Sequence, residues 1–258
     1  MKLNKSRFVF SCQFIGTRFS GTQKQKNANT VQSELEEVFS IFFKEKISII
    51  FSSRLDAGVH AKALIGHFDL SENQKLKKLS ENQICRHLNG ILSRDIAIIK
   101  FKEIDINFHS RKDAISRTYN YRLRINDLRM PLEDHYVSTL KLDNLDLDFL
   151  NEQSKILIGN HDCSGLARNF EYKTYTVCMI NKCFWEKQQG LFIFHITANH
   201  FLYKMVRNIV GTQIDMYSGK IPKDSLYKAL IEKNNNYLGQ TAVAKGLCLE
   251  AVNYEKDF

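Results

Sequence analysis

The order in which two hydrophobic periods succeed each other constrains this chain most. Phe8, Phe10, Cys12 and Phe14 alternate with Val9, Ser11 and Gln13, the spacing of a strand with one strongly apolar face. A polar, turn-rich stretch follows from Gly16 to Ala28. The period then lengthens, with Val31, Leu35, Val38, Phe39 and Phe42 at helical spacing. Asn29 with Gln32 three residues on reads as a capping box at the start of that helix. Ile47 to Phe51 reads as a strand, and Leu64, Gly66, Phe68 and Leu70 alternate as another. Ile84, Leu88, Ile91 and Leu92 mark a helix over Ser80–Leu92, and Ile96–Phe101 a further strand.

β-α-β-β-α-β in that order is the ferredoxin-like pattern. Beyond it, the spacing predicts a strand over Phe108–Ile125, with Tyr119, Tyr121, Leu123 and Ile125 on one face. Leu142–Ile158 is helical in period. Val177–Glu186 and Leu191–Thr197 read as a hairpin around Gln188-Gln189-Gly190. Helices are expected at Phe201–Ile214 and Leu226–Ile231, and a last strand at Leu247–Val252. No sequence repeat relates the two halves. The expectation is an α+β protein with an N-terminal subdomain over 1–108 and a C-terminal one over 109–258.

The chain has 258 residues and a net charge of +9, with a pI near 9.2. A basic surplus concerns partners rather than fold, and favours nucleic acid. Two Pro and twelve Gly leave no composition for a flexible linker. Lys75, Lys77 and Lys78 read as a solvated face. Six Cys occur without a C-x-x-C pair, so reduced, mostly buried thiols are expected rather than zinc or disulfides. No apolar run reaches transmembrane length, and Met1–Ser6 suggests neither a secretory signal nor a transit helix. The compartment expected is the cytoplasm, or the mitochondrial matrix in a eukaryote. No P-loop or dinucleotide fingerprint is present, and no bound cofactor or metal is expected. His60 and His109 lack metal-ligand spacing and read as loop-ordering residues.

The candidate for chemistry is Ser52-Ser53-Arg54-Leu55-Asp56-Ala57-Gly58-Val59-His60-Ala61. A carboxylate after a strand and before a small-residue turn is presented outside a sheet. Gly58 supplies the tight turn. Other blocks accompany it: Phe14-Ile15-Gly16-Thr17-Arg18-Phe19-Ser20-Gly21-Thr22-Gln23, then Ser116-Arg117-Thr118-Tyr119-Asn120-Tyr121 after Phe108-His109-Ser110-Arg111. Later come Gly159-Asn160-His161-Asp162, the segment from Ala198-Asn199-His200 through Arg207 to Gly211, and Lys245-Gly246-Leu247-Cys248-Leu249.

Together these blocks resemble the TruA-type tRNA pseudouridine synthases over nearly the whole chain. The resemblance implies two ferredoxin-like subdomains sharing one largely antiparallel sheet, helices outside, with an active-site cleft between them. It implies a homodimer that isomerises uridine to pseudouridine at positions 38–40 of the tRNA anticodon arm. Asp56 maps onto the nucleophile, Arg207 onto its basic partner and Tyr119 onto the active-site tyrosine. Arg54 maps onto the residue that fills the space of a flipped base, and Leu247 packs on the uracil ring. Arg111 and Arg117 lie in motif segments and are candidate RNA contacts. The chain departs from the pattern at Thr22 (usually Trp), Ser53 (Gly), Leu55 (Thr), Ser93 (Pro) and Tyr175 (Arg), and lacks a Pro-rich approach to Gly246. No departure removes a catalytic group, but those at Thr22 and Tyr175 fall on substrate contacts. The competing reading is a catalytically inactive RNA-binding protein or RNA chaperone on the same scaffold.

Overall fold

Phe8, Phe10 and Phe68 stand on the sheet face that receives the first helix. A computed structural model of the chain describes residues 5–71, 79–125, 130–168 and 175–255. Lys75, Lys77 and Lys78 lie outside the described residues. The chain forms two compact units, one of Met1–Ile115 with Leu249–Phe258 and one of Ser116–Cys248. The expected boundary at residue 108 falls seven residues before this division, and the C-terminal segment belongs with the first unit.

The first unit runs β1 (Lys5–Phe14), α1 (Val31–Phe43), β2 (Ile50–Phe51), β3 (His60–Ser71), α2 (Glu81–Ile91) and β4 (Ile96–Ile104). Strand β1 lies antiparallel between β3 and β4, and β2 pairs antiparallel with β3. Helix α1 sets Phe39 edge-on against Phe10 and Phe68, and Phe43 on Phe68 and Phe101. Each such buried ring contributes roughly 2–3 kcal/mol of burial.

Three expected boundaries move in this unit, each because backbone groups find other partners. The first capping box is Thr30 with Ser33, not Asn29 with Gln32: Ser33 N–H donates to Thr30 Oγ1 (3.2 Å), and Thr30 N–H to Ser33 Oγ (3.1 Å). The strand expected at Ile47 pairs only at Ile50–Phe51, because Ile47 N–H donates to Ser40 Oγ and Ile49 N–H to Glu36 Oε1 on α1. Residues 108–115 form a turn instead of opening the next strand. There Phe108 N–H bonds Asp105 O, and His109 and Asp113 close a local loop.

The second unit holds β5 (Ser116–Ile125), β6 (Ser138–Leu140), α3 (Leu147–Lys155), β7 (Gly159–Asp162), β8 (Val177–Gln188), β9 (Leu191–Ala198), α4 (Met205–Tyr217) and α5 (Ser225–Ile231). Strands β5, β9, β8 and β7 are antiparallel neighbours, and the short β6 runs parallel to β5. The hairpin is as expected: Gln189 (φ 50°) and Gly190 (φ 77°) make a two-residue loop with both φ positive.

Gly159–Asp162 pairs with β8. Helix α3 starts at Leu147 because the Asp146 carboxylate caps Asp148 N–H and Phe149 N–H. Helix α4 starts at Met205 because Lys204 adopts φ 57°, which a right-handed helix cannot continue. The last strand, β10 (Leu247–Asn253), spans the division, and its later residues lie beside β3. The fold is α+β and mostly antiparallel. All six thiols are free, five of them buried. No described helix is long and apolar enough to cross a membrane, and no described His/Cys/Asp/Glu group could hold a metal ion.

Candidate active site

Strand β2 delivers the chain into the Asp56 loop, and the loop is pinned at both ends. Ser52 and Ile65 bond twice, Ser52 N–H to Ile65 O (2.8 Å) and Ile65 N–H to Ser52 Oγ (3.3 Å). Gly58 takes φ 81°, and Val59 N–H closes the turn onto Asp56 O at 3.1 Å.

The segment Gly16–Thr22 lies against this loop. A Cβ at Gly16 would fall 2.0 Å from Val59 O, and one at Gly21 (φ 95°) 2.8 Å from Leu55 O. Only glycine permits that approach. Gly16 N–H donates to Nδ1 of buried His60 (3.0 Å), so this imidazole orders the loop as its lack of metal spacing suggested. Asp56 is half-buried and Arg54 exposed.

Arg111 sits in the 108–115 turn of the same unit. His109 Nδ1 accepts the backbone N–H of Arg111 and of Lys112. Behind it, Ser110 N–H donates to Nδ1 of buried His67, and Ser110 Oγ–H to Ile50 O (2.7 Å). Burial pushes the His67 pKa down to about 4, helped by the Arg7 and His109 charges, so the ring stays neutral at neutral pH. Burial, and then the nearby Arg54 charge, lower the Arg111 pKa. Arg54 and Arg111 of the first unit thus lie within electrostatic reach of each other. Two guanidinium groups placed so favour an anion such as a phosphate.

The second unit carries the other candidates. Tyr119 is buried on β5, with the Phe201 ring edge-on at 5.0 Å between centroids. Arg117, two residues earlier and only 7% exposed, donates from Nη1 to Asn199 O at 2.6 Å. Asn199 in turn accepts from Met179 N–H and His200 N–H through Oδ1, which fixes the turn before α4. Leu247 opens β10 and is buried. Tyr121 is core, as its position on the alternating strand suggests. Its hydroxyl donates to Val243 O, and burial pushes its pKa up to about 12 against smaller opposing effects of Ser138 and Arg207.

Arg207 lies on α4 and exchanges two bonds with Ala242, Nε–H to Ala242 O (2.8 Å) and Ala242 N–H to Arg207 O (3.0 Å). Ala242 belongs to a strap, Leu238–Val243, that polar side chains of α4 grip along its length. Thr241 Oγ1 donates to Asn208 Oδ1, Gly239 N–H to Thr212 Oγ1, and Gln240 N–H to Asp215 Oδ2. Arg168 closes the far end on Leu238 O and Gly239 O.

The strap lies outside every motif named from the sequence. The helix that grips it does carry a signal, since Asn208, Thr212 and Asp215 fall at helical spacing along α4. Thr22 is 1% exposed, and its hydroxyl is used on Leu55 rather than turned to solvent.

One family model matches segments of both units. The family model described as tRNA pseudouridine synthase fits residues 11–111 and 154–255. The chain belongs to this family. Its matched segments hold Asp56, Arg54 and Arg111 in the first stretch, and Arg207 and Leu247 in the second. Three relatives are named tRNA pseudouridine synthase A. That of Azobacteroides pseudotrichonymphae is 34% identical over 249 residues, covering 96% of this chain and 97% of the relative. That of Neorickettsia sennetsu is 35% identical, covering 96% and 100%. That of Borrelia turicatae is 35% identical over 242 residues, covering 94% and 96%.

Proposed function

We propose that this chain is a tRNA pseudouridine synthase with Asp56 as its nucleophile, acting on uridines 38–40 of the anticodon arm. The near full-length family match carries this reading, because it includes the loop whose geometry presents Asp56. The reaction breaks the N1–C1′ bond of uridine, turns the base and joins C5 to C1′. The C5 proton leaves and N1 gains one. Oxidation state is unchanged, so the chain's own side chains suffice.

In this reading the two halves are ferredoxin-like and share one sheet. The pairing β4-β1-β3-β2 in the first unit supports this, as does β5-β9-β8 in the second. Asp56 meets Arg207 in a basic cleft between the halves. The guanidinium keeps the carboxylate ionised in a site closed to water. Asp56 then attacks C1′ or stabilises positive charge on the sugar.

Tyr119 stacks on the extruded uracil and accepts the C5 proton, and Leu247 packs on the other side of the ring. Arg54 fills the gap left in the RNA stack, where extrusion costs roughly a few kcal/mol. Arg111 contacts phosphate. Arg117, whose Nη1–H bonds Asn199 O, is a further RNA contact in this reading. A homodimer, each tRNA held across two copies, and a cytoplasmic location complete the proposal. The six free thiols fit that compartment.

The test is tritium release from tRNA labelled at uridine C5. The wild-type chain frees the label, whereas Asp56→Asn binds tRNA and frees none. A wild-type chain that binds tRNA and releases no tritium is the inactive RNA binder instead.

A further inference from the structure

We infer that Thr22 is a positioning residue for Asp56. This role rests on the synthase reading and goes beyond it. Thr22 and Leu55 are 33 positions apart and bond reciprocally: Leu55 N–H donates to Thr22 Oγ1 (2.9 Å), and Thr22 N–H to Leu55 O (3.1 Å). Both peptide groups of the residue before Asp56 are therefore held by one side chain and its own backbone.

Thr22 is itself suspended from α1, where Gln32 N–H in the first turn donates to Thr22 O at 3.0 Å. That bond uses one of the helix's unpaired N-terminal donors. A continuous path of bonds thus runs from the rigid start of α1 through Thr22 and Leu55 to the Cα of Asp56. Beyond Asp56 the return is also tied, with Gly58 N–H on Phe19 O (3.4 Å) and Val59 N–H on Asp56 O (3.1 Å).

The contact is made to the backbone of Leu55, which is buried, so its amide needs an acceptor whatever side chain it carries. Position 22 supplies the acceptor. The threonine at position 22 bears on where the nucleophile stands. Thr22 touches no reacting atom and acts only through the loop.

The test uses Thr22→Val, which keeps the side-chain shape and removes the acceptor, beside Thr22→Ser, which restores it. Thr22→Val is expected to lower kcat for tritium release by roughly tenfold or more, since small displacements of a reacting group cost rates of that order. KM and the Kd for tRNA should stay within about twofold, and Thr22→Ser should recover kcat. Amide exchange gives a readout independent of catalysis: Leu55 N–H loses protection in Thr22→Val while the β1 and β3 amides keep theirs.

Unchanged kcat in folded Thr22→Val overturns the inference. So does a loss of kcat that Thr22→Ser fails to recover, or one matched by an equal rise in KM. If the wild-type chain releases no tritium, the synthase reading fails by itself. The Leu55 exchange result then still reports whether Thr22 holds the loop.

Discussion

Around Asp56 the chain is held by close backbone packing, with Gly16 and Gly21 pressed on the loop, and by three side-chain acceptors, Ser52 Oγ, His60 Nδ1 and Thr22 Oγ1, each taking a backbone N–H. Around Arg207 it is held by side chains, with Asn208, Thr212 and Asp215 reaching from α4 to the strap. Both arrangements place one charged group, but they distribute the work differently. Close backbone packing leaves no room for an added atom and fails abruptly. A row of side-chain bonds can lose one member and retain the rest. The loop is therefore expected to be intolerant of steric change, and the helix–strap pair to weaken by degrees.

The largest expected effect is chemical. Asp56→Asn should lower kcat by roughly 10³-fold or more with little change in tRNA Kd, because only the nucleophile is removed. Equal loss of binding would mean that the loop also carries the RNA. Next is Gly16→Ala. A Cβ 2.0 Å from Val59 O forces the backbone apart, and a stability loss of about 3 kcal/mol or more is expected in urea unfolding. A variant as stable as wild type would break the contrast between the regions.

Arg207→Lys keeps the charge but loses the Nε–H bond to Ala242 O. A fall in kcat of roughly 10–100-fold is expected, because lysine lacks the planar fork. Thr212→Val should cost about 1–3 kcal/mol by leaving Gly239 N–H without its acceptor. Amide exchange should then quicken at Gly239 and leave Leu55 unchanged.

Two effects are read in pH, and the two units respond in separate windows. His67 binds its proton at about 4 when folded, against 6.5 ordinarily. The unfolded chain is protonated first, so stability falls from about pH 6.5 down to about pH 4 and no further from this group. His67→Gln removes that slope. For Asp162, burial alone would raise the pKa, but Lys233, the Ser164 backbone and hydroxyl, and Thr176 outweigh it and hold it at about 2, against 3.8. Its contribution is present above about pH 4 and is lost as pH falls towards 2. Asp162→Asn removes this second slope, read from urea midpoints across pH.

Local pattern made much of this fold legible. Alternation at Phe8–Phe14, at Leu64–Leu70 and across the Gln189-Gly190 hairpin gave strands that the structure contains. Where side chains capture backbone donors, pattern misleads. Ser40 and Glu36 shorten the strand expected at Ile47, and Lys204 in a left-handed conformation delays α4. The Asp56 loop was legible because its residues are contiguous. The Thr22–Leu55 contact was not, since no local period links positions so far apart. Asn208, Thr212 and Asp215 fall at helical spacing along α4, but the residues of the strap they hold carry no periodic signal.

We propose that Asp56 and Arg207 act together on one uridine. An experimental structure of the Asp56→Asn variant with an anticodon stem-loop measures this directly. The account predicts the residue 56 side chain within about 3 Å of Arg207, with a uridine turned out of its stack and C1′ facing residue 56. A separation of roughly 8 Å or more, beyond any direct pairing, or a uridine left stacked and distant, would contradict it.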